Sequence, residues 1–217
     1  MIGIVVALKP ELNNLLNFAS DIKEQNISGK TFITCKIANK DVCIAISNVG
    51  KVASAMTTQI LIDNFSTSVI INFGSVGGLK DNVEALNLYS VEKCCQYDFD
   101  LSELDKCPVG FNQNYDSLYI DLDKRNFNLK RVKLATSDRF TCKESDIALV
   151  NTVGADIYDM EGCAIAQVCL SNKIQLIMIK GVTDVYGSGI VSEQFIKNLN
   201  KVGELLSKKI LEVIEKI

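Results

Sequence analysis

The stretch "IGIVVA" (residues 2–7) contains no polar side chain. A strand with one wet face alternates apolar and polar residues. An unbroken apolar run belongs to a strand covered on both faces, which in practice means helices packed on each side of a sheet. "SVIINFGS" (68–75) and "IQLIMIKGVTD" (174–184) read the same way. Between these runs lie segments of helical spacing. In "KVASAMTTQILIDNF", Val52, Met56 and Ile60 recur at helical intervals. "EGCAIAQVCLSN" is predicted to be a helix, and so is the C-terminal stretch, where Phe195, Leu199, Val202, Leu206, Ile210, Val213 and Ile217 form one stripe. A short helix with Pro10 in its first position follows the first strand, its apolar face made by Leu12, Leu15 and Leu16. "TFITCKI" and "VCIAIS" around "ANKD" predict a hairpin; residues 85–97, "RVKLATSD" and "ADIYDM" predict further strands. Residues 98–130 form a long irregular stretch, of a kind that usually carries function. Alternation of this kind predicts a single α/β domain over residues 1–217, with a largely parallel or mixed sheet covered by helices.

The chain length suits one such domain. A net charge of −3, with no basic block, argues against a nucleic-acid partner. No apolar run approaches the ~18 residues a membrane helix needs, and the N-terminus lacks the basic segment and cleavage site of a signal peptide. The eight cysteines include no C-x-x-C, and several sit at apolar positions, so they read as buried free thiols in a reducing cytoplasm. Histidine is absent. That removes Ser-His-Asp and Cys-His chemistry and mixed zinc sites, and leaves acid–base work to Asp, Glu, Lys, Tyr or Cys with a shifted pKa.

Four polar residues fall at the ends of predicted strands, where α/β sheets bind ligands. Glu11 lies just past the first strand, Ser75 at the end of "SVIINFG", Glu161 after "ADIYDM", and Asp184 at the close of "IQLIMIKGVT". Parallel strands would carry all four to one edge. Each also has a plainer reading: Glu11 and Glu161 as acids favouring a helix N-terminus, Asp184 as a cap, and Ser75 with Gly77 and Gly78 as a tight strand-to-helix turn. Spacing alone gives an α/β protein with a small-molecule site.

In order along the chain, "IGIVVALKPELNNLL", "SNVGKVASA", "VIINFGSVGGL", "CPVGF", "SDRF", "YDMEGCAIAQVC" and "GVTDV" resemble the purine nucleoside phosphorylase and nucleosidase superfamily, and most closely its 5′-methylthioadenosine/S-adenosylhomocysteine nucleosidases. The resemblance implies a three-layer α/β/α fold around a mixed, partly barrel-like sheet. It implies hydrolysis of the N-ribosidic bond of these adenine nucleosides, with neither a metal nor an organic cofactor. By the same likeness, Glu11 would activate water, Asp184 would protonate N7 of adenine, and Glu161, beside Met160, would hold the ribose hydroxyls. Phe140 would stack on the base, with the Thr141 main chain bonding to it. Ser75, Val76 and Gly77 would form a turn under the ribose, where small side chains at Gly77 and Gly78 leave room for nucleoside and water. Asp159 and Thr183 complete the expected substrate contacts. Asp159 stands where glutamate is usual, and Lys180 replaces an arginine. Where the family has an aromatic before the last helix, in the pocket for the 5′ group, Val191 and Ser192 stand here. The branch pairs as homodimers, and segment 97–111 would reach the partner's pocket.

Three other readings stand beside this one. They are a futalosine-type nucleosidase, a phosphorylase, and a non-catalytic nucleoside-binding module. A dinucleotide-binding oxidoreductase is disfavoured, since no G-x-G-x-x-G follows the first strand.

Overall fold

The computed structural model describes residues 1–12, 14–79, 81–125, 127–141 and 143–217. Strand β1 (Ile2–Val6) is buried at every position, as its composition requires. It leads into the one-turn helix α1 (Lys9–Leu12) and a 3-10 turn at Leu16–Phe18, shorter than the helix expected there. Strands β2 (Ala19–Ile27), β3 (Lys30–Ile37) and β4 (Lys40–Ile46) follow, then helix α2 (Lys51–Phe65) and the long strand β5 (Val69–Leu79). Next come β6 (Leu88–Gln96), the short helix α3 (Ser102–Asp105), β7 (Ile120–Asp121), β8 (Lys130–Thr136) and helix α4 (Glu144–Thr152). The chain ends with β9 (Ile157–Asp159), helix α5 (Gly162–Ser171), β10 (Gln175–Tyr186) and helix α6 (Val191–Lys216).

The sheet runs β10-β6-β8-β9-β5-β1-β4-β3-β2, and β10 also pairs with β5. That extra pairing closes β10, β6, β8, β9 and β5 into a five-stranded barrel, with β1, β4, β3 and β2 extending from it as an open wing. Strand β5 belongs to both parts. Its first half pairs in parallel with β1, its whole length pairs in parallel with β10, and Gly77 and Gly78 pair antiparallel with Tyr158 and Ile157 of β9. Helices cover both faces. On one side α6 buries Val202, Leu206, Ile210 and Val213 against Ile4, Ile71 and Ile179. On the other, Cys163, Ile165 and Ala166 of α5 pack with Leu61 of α2, Met178 and Leu134. The three-layer, partly barrel-like α/β fold expected from the sequence is present.

Two features of β5 correct the sequence reading. Ser75 lies inside the strand rather than at its end, so Gly-Ser-x-Gly-Gly is extended chain and no turn. The glycines there are also required by the protein itself. A Cβ on Gly77 would enter the ring of Tyr158, and one on Gly78 would strike the Val83 side chain. The expected homogeneous edge of parallel strands is also absent. Because β9 runs antiparallel to β5, Glu161 approaches Ser75 from the opposite direction to Glu11 and Asp184.

Helix α2 buries its small and polar side, Ser54, Thr57 and Thr58 with Leu61. Two of the residues that mark it as a helix point outward, Val52 at 79% exposure and Met56 at 40%. Among the described residues no helix is long and apolar enough to cross a membrane.

Candidate active site

Residues brought together by the barrel line a cavity of about 380 Å³. Glu11, Glu161 and Asp184 all face it, as do Ser75, Val76, Gly77, Phe140, Thr141, Asp159, Met160 and Thr183. Every site residue expected from the sequence therefore reaches one place.

Glu11 arrives at the end of α1 and is almost fully buried. The backbone N–H and the hydroxyl of Ser75 both donate to its Oε1, each at 2.7 Å, and the Leu8 N–H donates to Oε2 at 3.1 Å. Gly74 makes room for this carboxylate, since a Cβ there would lie 3.1 Å from Oε1.

Asp184 owes its direction to an irregularity. In the β10–β5 pairing Val182 faces Val76 and Asp184 faces Gly77, leaving Thr183 as an extra residue. Strict alternation would put Asp184 on the same face as Val182; the bulge turns it to the other. The Thr183 hydroxyl donates to Asp184 Oδ1 at 2.7 Å, and the Thr183 carbonyl accepts from Asn198 Nδ2 of α6 at 2.7 Å. Burial raises the Asp184 pKa to about 6, against hydrogen bonds from Thr183 and Tyr158 that lower it.

Glu161 stands immediately ahead of α5 and takes the Gly50 N–H on Oε1 at 2.8 Å. Gly50 presents that N–H from a left-handed backbone, φ +102°, which disfavours any other residue. Burial first, and the neighbouring Asp159 second, push Glu161 up to about 7, opposed by the Gly50 N–H and Lys180. A carboxyl group poised near neutrality can hold or release a proton at little cost, which suits acid–base work.

Asp159 lines the wall, yet its carboxylate is occupied by protein. Thr136 Oγ1 donates to Oδ1 at 2.6 Å, the Gly162 N–H to Oδ2 at 3.0 Å, and Lys180 Nζ lies 2.9 Å from Oδ2. The Thr141 hydroxyl is likewise engaged, 2.6 Å from the Tyr97 hydroxyl. Phe140 stays 47% exposed at the mouth, with Phe195 edge-on to it at 5.6 Å between centroids and 79° between planes.

Phe195 corrects the sequence reading. Helical spacing places it in the buried stripe of the last helix, while Val191 and Ser192 leave the pocket with no aromatic ahead of that helix. Helix α6 begins at Val191, so Phe195 lies one turn inside it and still lines the cavity. Tyr158, Arg139, Leu8 and Val49 line it too; each lies inside a quoted motif, but none is given a role by the sequence. Among the described residues, no group of three or more Asp, Glu or Cys is arranged to hold a metal.

A family model described as the phosphorylase superfamily matches residues 1–215. The chain belongs to the phosphorylase superfamily. Among curated members, the 5′-methylthioadenosine/S-adenosylhomocysteine nucleosidase of Colwellia psychrerythraea is 30% identical, over 95% of this chain and 97% of its own length. The aminodeoxyfutalosine nucleosidase of Campylobacter jejuni is 25% identical, over 100% of this chain and 99% of its own. Among solved structures, the Helicobacter pylori 5′-methylthioadenosine/S-adenosylhomocysteine nucleosidase superposes with a TM-score of 0.91 at 26% identity, covering 100% of this chain and 98% of that one. That protein was crystallised with a pyrrolidine bearing a 4-aminopyrrolopyrimidine and a propynylthio arm. Within the superfamily, this member stands with the nucleosidases, which are N-glycosyl hydrolases.

Proposed function

We propose that the protein hydrolyses the N-ribosidic bond of 5′-methylthioadenosine and S-adenosylhomocysteine, releasing adenine and the thioribose product. The observation that carries this reading is the convergence of three carboxyl groups, from α1, the residue ahead of α5, and β10, on one cavity, with Asp184 raised to about 6 and Glu161 to about 7. Adenine lies against Phe140 and bonds to the Thr141 main chain. Ribose lies over Ser75, Val76 and Gly77 beside Met160, its hydroxyls donating to Glu161. Glu11, fixed by Ser75, takes a proton from water as the water oxygen bonds to C1′. The C1′–N9 bond breaks, its electron pair passes into the base, and Asp184, oriented by Thr183, gives its proton to N7. Glu11 ends protonated and Asp184 ionised; exchange with solvent restores both. Positive charge developing on the sugar is met by the surrounding carboxylates, where a water-poor site makes such stabilisation strong.

A second reading differs only in the 5′ group. The full-length likeness to an aminodeoxyfutalosine nucleosidase favours testing it. In either case the 5′ group leaves by the mouth formed by Phe140, Phe195, Leu8 and Val49. The experiment is incubation with methylthioadenosine, S-adenosylhomocysteine, aminodeoxyfutalosine, adenosine and inosine, with and without phosphate, and chromatography of the free base. Adenine from the two thio-nucleosides without phosphate is expected. Inosine cleavage that requires phosphate makes the protein a phosphorylase, and adenine from aminodeoxyfutalosine alone selects the second reading.

The same reading includes a cytoplasmic homodimer, in which segment 97–111 borders the partner's cavity. Val52 and Leu104, 79% and 78% exposed, give it apolar surface to pair through. The seven cysteines among the described residues are all free thiols, six of them buried, in keeping with a reducing compartment. Light scattering should give twice the chain mass for the wild type and the single-chain mass for Val52→Lys.

A further inference from the structure

Glu11, Asp159, Glu161 and Asp184 are all buried around the cavity. Among the described residues, Lys180 is the only lysine or arginine buried to the same degree. It does not line the cavity. In register it sits opposite Gly74 of β5, and its Nζ reaches Asp159 Oδ2 at 2.9 Å. Strands β9 and β10 do not pair with each other, so this bridge ties them together across the barrel.

Asp159 is the busier partner. Beyond Lys180 and Thr136, its oxygens take the backbone N–H of Glu161 at 3.3 Å and that of Gly162 at 3.0 and 3.2 Å. It therefore holds the first turn of α5, and with it the backbone of Glu161. Gly162 permits this, since a Cβ there would lie 2.8 Å from Asp159 Oδ2. With these donors in place, no part of the carboxylate is left for a ligand.

We propose that Lys180 and Asp159 are positioning residues, which together fix the direction and the charge of Glu161 without touching substrate. The inference rests on the reading that Glu161 holds the ribose hydroxyls. Four groups face Glu161: Asp159 from β9, Lys180 from β10, Glu11 from α1, and the Gly50 N–H ahead of α2. Asp159 and Glu11 discourage its ionisation, while Lys180 and the N–H favour it. Asp159 and Lys180 thus act on it in opposite senses, Asp159 the more strongly. Asp159 alone would push Glu161 further toward its neutral form. Lys180 alone would set a cation beside a sugar that itself becomes cationic. Their mutual neutralisation leaves the field at the sugar to Glu11 and Glu161.

A bridge that merely held the barrel would respond alike to loss of either partner, through stability. The positioning role predicts opposite responses. Glu161 can be titrated in the whole protein by carbon-13 NMR of labelled glutamate carboxyl groups, with Glu161→Gln assigning its signal. Asp159→Asn should lower the midpoint and Lys180→Met should raise it, each by about one pH unit or more, the usual effect of a charge a few ångströms away. The double variant should fall between the two single variants. An unmoved midpoint, or midpoints that move the same way in both single variants, overturns the proposal. Should Lys180→Met fail to fold, Asp159→Asn and the double variant, which strands no buried anion, still decide. In the kinetic arm, Lys180→Arg should keep the wild-type pH profile of adenine release, and Asp159→Asn should move its acid limb, where Glu161 ionises, with the NMR midpoint. A wild type that cleaves no nucleoside refutes the proposed function, and the titration still decides the present point. Cleavage with a midpoint indifferent to both charges refutes the present point alone.

Discussion

The hydroxyl of Ser75 donates to Glu11 Oε1 at 2.7 Å, and the backbone N–H of the same serine donates to the same oxygen. One residue of β5 thus fixes the carboxylate that the proposed reaction uses as its base. Ser75→Ala removes the hydroxyl and keeps the N–H. A hydrogen bond to a charged group contributes about 1.5–3 kcal/mol, so kcat for adenine release should fall roughly 10- to 100-fold with little change in KM. Glu11→Gln keeps an oxygen that can accept both bonds and loses the base, and should cost about 10²–10⁴-fold, the range for one general base. Steady-state kinetics on both variants check this. Equal losses would mean that the hydroxyl acts on substrate directly.

Asp184 must carry a proton to give one. With its pKa raised to about 6 by burial, the fraction of competent enzyme declines above that pH. Thus kcat/KM should fall tenfold for each further pH step of one on the alkaline side, with a midpoint near 6. Asp184→Asn should lose about 10²–10⁴-fold and lose the limb with it. Glu161→Gln should be slower and keep the limb. The pH–rate profiles of the three proteins decide the assignment.

The same two carboxyl groups predict how stability without substrate responds to pH. Asp184 rises from 3.8 to about 6 and Glu161 from 4.5 to about 7 on folding. Groups raised in the folded state bind protons more tightly there than when unfolded. Their contribution is complete below about pH 4 and is lost as pH climbs through 6 and 7. For pKa changes of this size the loss is on the order of 3 kcal/mol for each group. Asp184→Asn should therefore melt several degrees above wild type at pH 8, and the gap should close by pH 4. Calorimetry at both pH values measures it; a gap of equal size at pH 4 would assign the gain to packing.

Much of this architecture is legible in the sequence because burial writes a pattern. β1 is apolar on both faces, and helix α6 shows a regular stripe, so each is found from spacing alone. β2 is not. Its sequence "ASDIKEQNI" is exposed along most of its length, and it pairs only with β3, so nothing forces alternation. Motifs single out these cavity-lining residues one by one, but not the way they meet. Barrel closure brings Glu161 in on an antiparallel strand, and a bulge at Thr183 turns Asp184 toward the cavity. Both depend on pairings between distant segments, which leave no local trace.

The glycines of β5 separate two explanations for small residues near a ligand. Gly77 pairs directly with Tyr158, whose ring occupies the space a Cβ would need. Gly77→Ala should therefore cost about 1–3 kcal/mol of stability, the usual range for overpacking. Adding Tyr158→Ala should recover part of that loss, so the two effects should be non-additive. Denaturant melts of the single and double variants give the coupling. Strict additivity would mean that the constraint lies with the substrate after all.

Phe140 and Phe195 meet edge-on at the mouth, one ahead of α4 and the other in the first turns of α6. Their roles should divide by which part of the substrate each covers. Phe140 is the proposed platform for adenine, common to every substrate, and Phe140→Ala should raise KM for all adenine nucleosides alike. In the proposed orientation, Phe195 stands on the side where the 5′ group leaves. Phe195→Ala should raise KM for methylthioadenosine by about tenfold and for adenosine much less, since an apolar contact is worth about 1–2 kcal/mol only to a ligand that fills it. The ratio of kcat/KM between these two nucleosides, measured in both variants, tests the division. A ratio that changes in Phe140→Ala and not in Phe195→Ala would reverse the orientation of the nucleoside in the cavity.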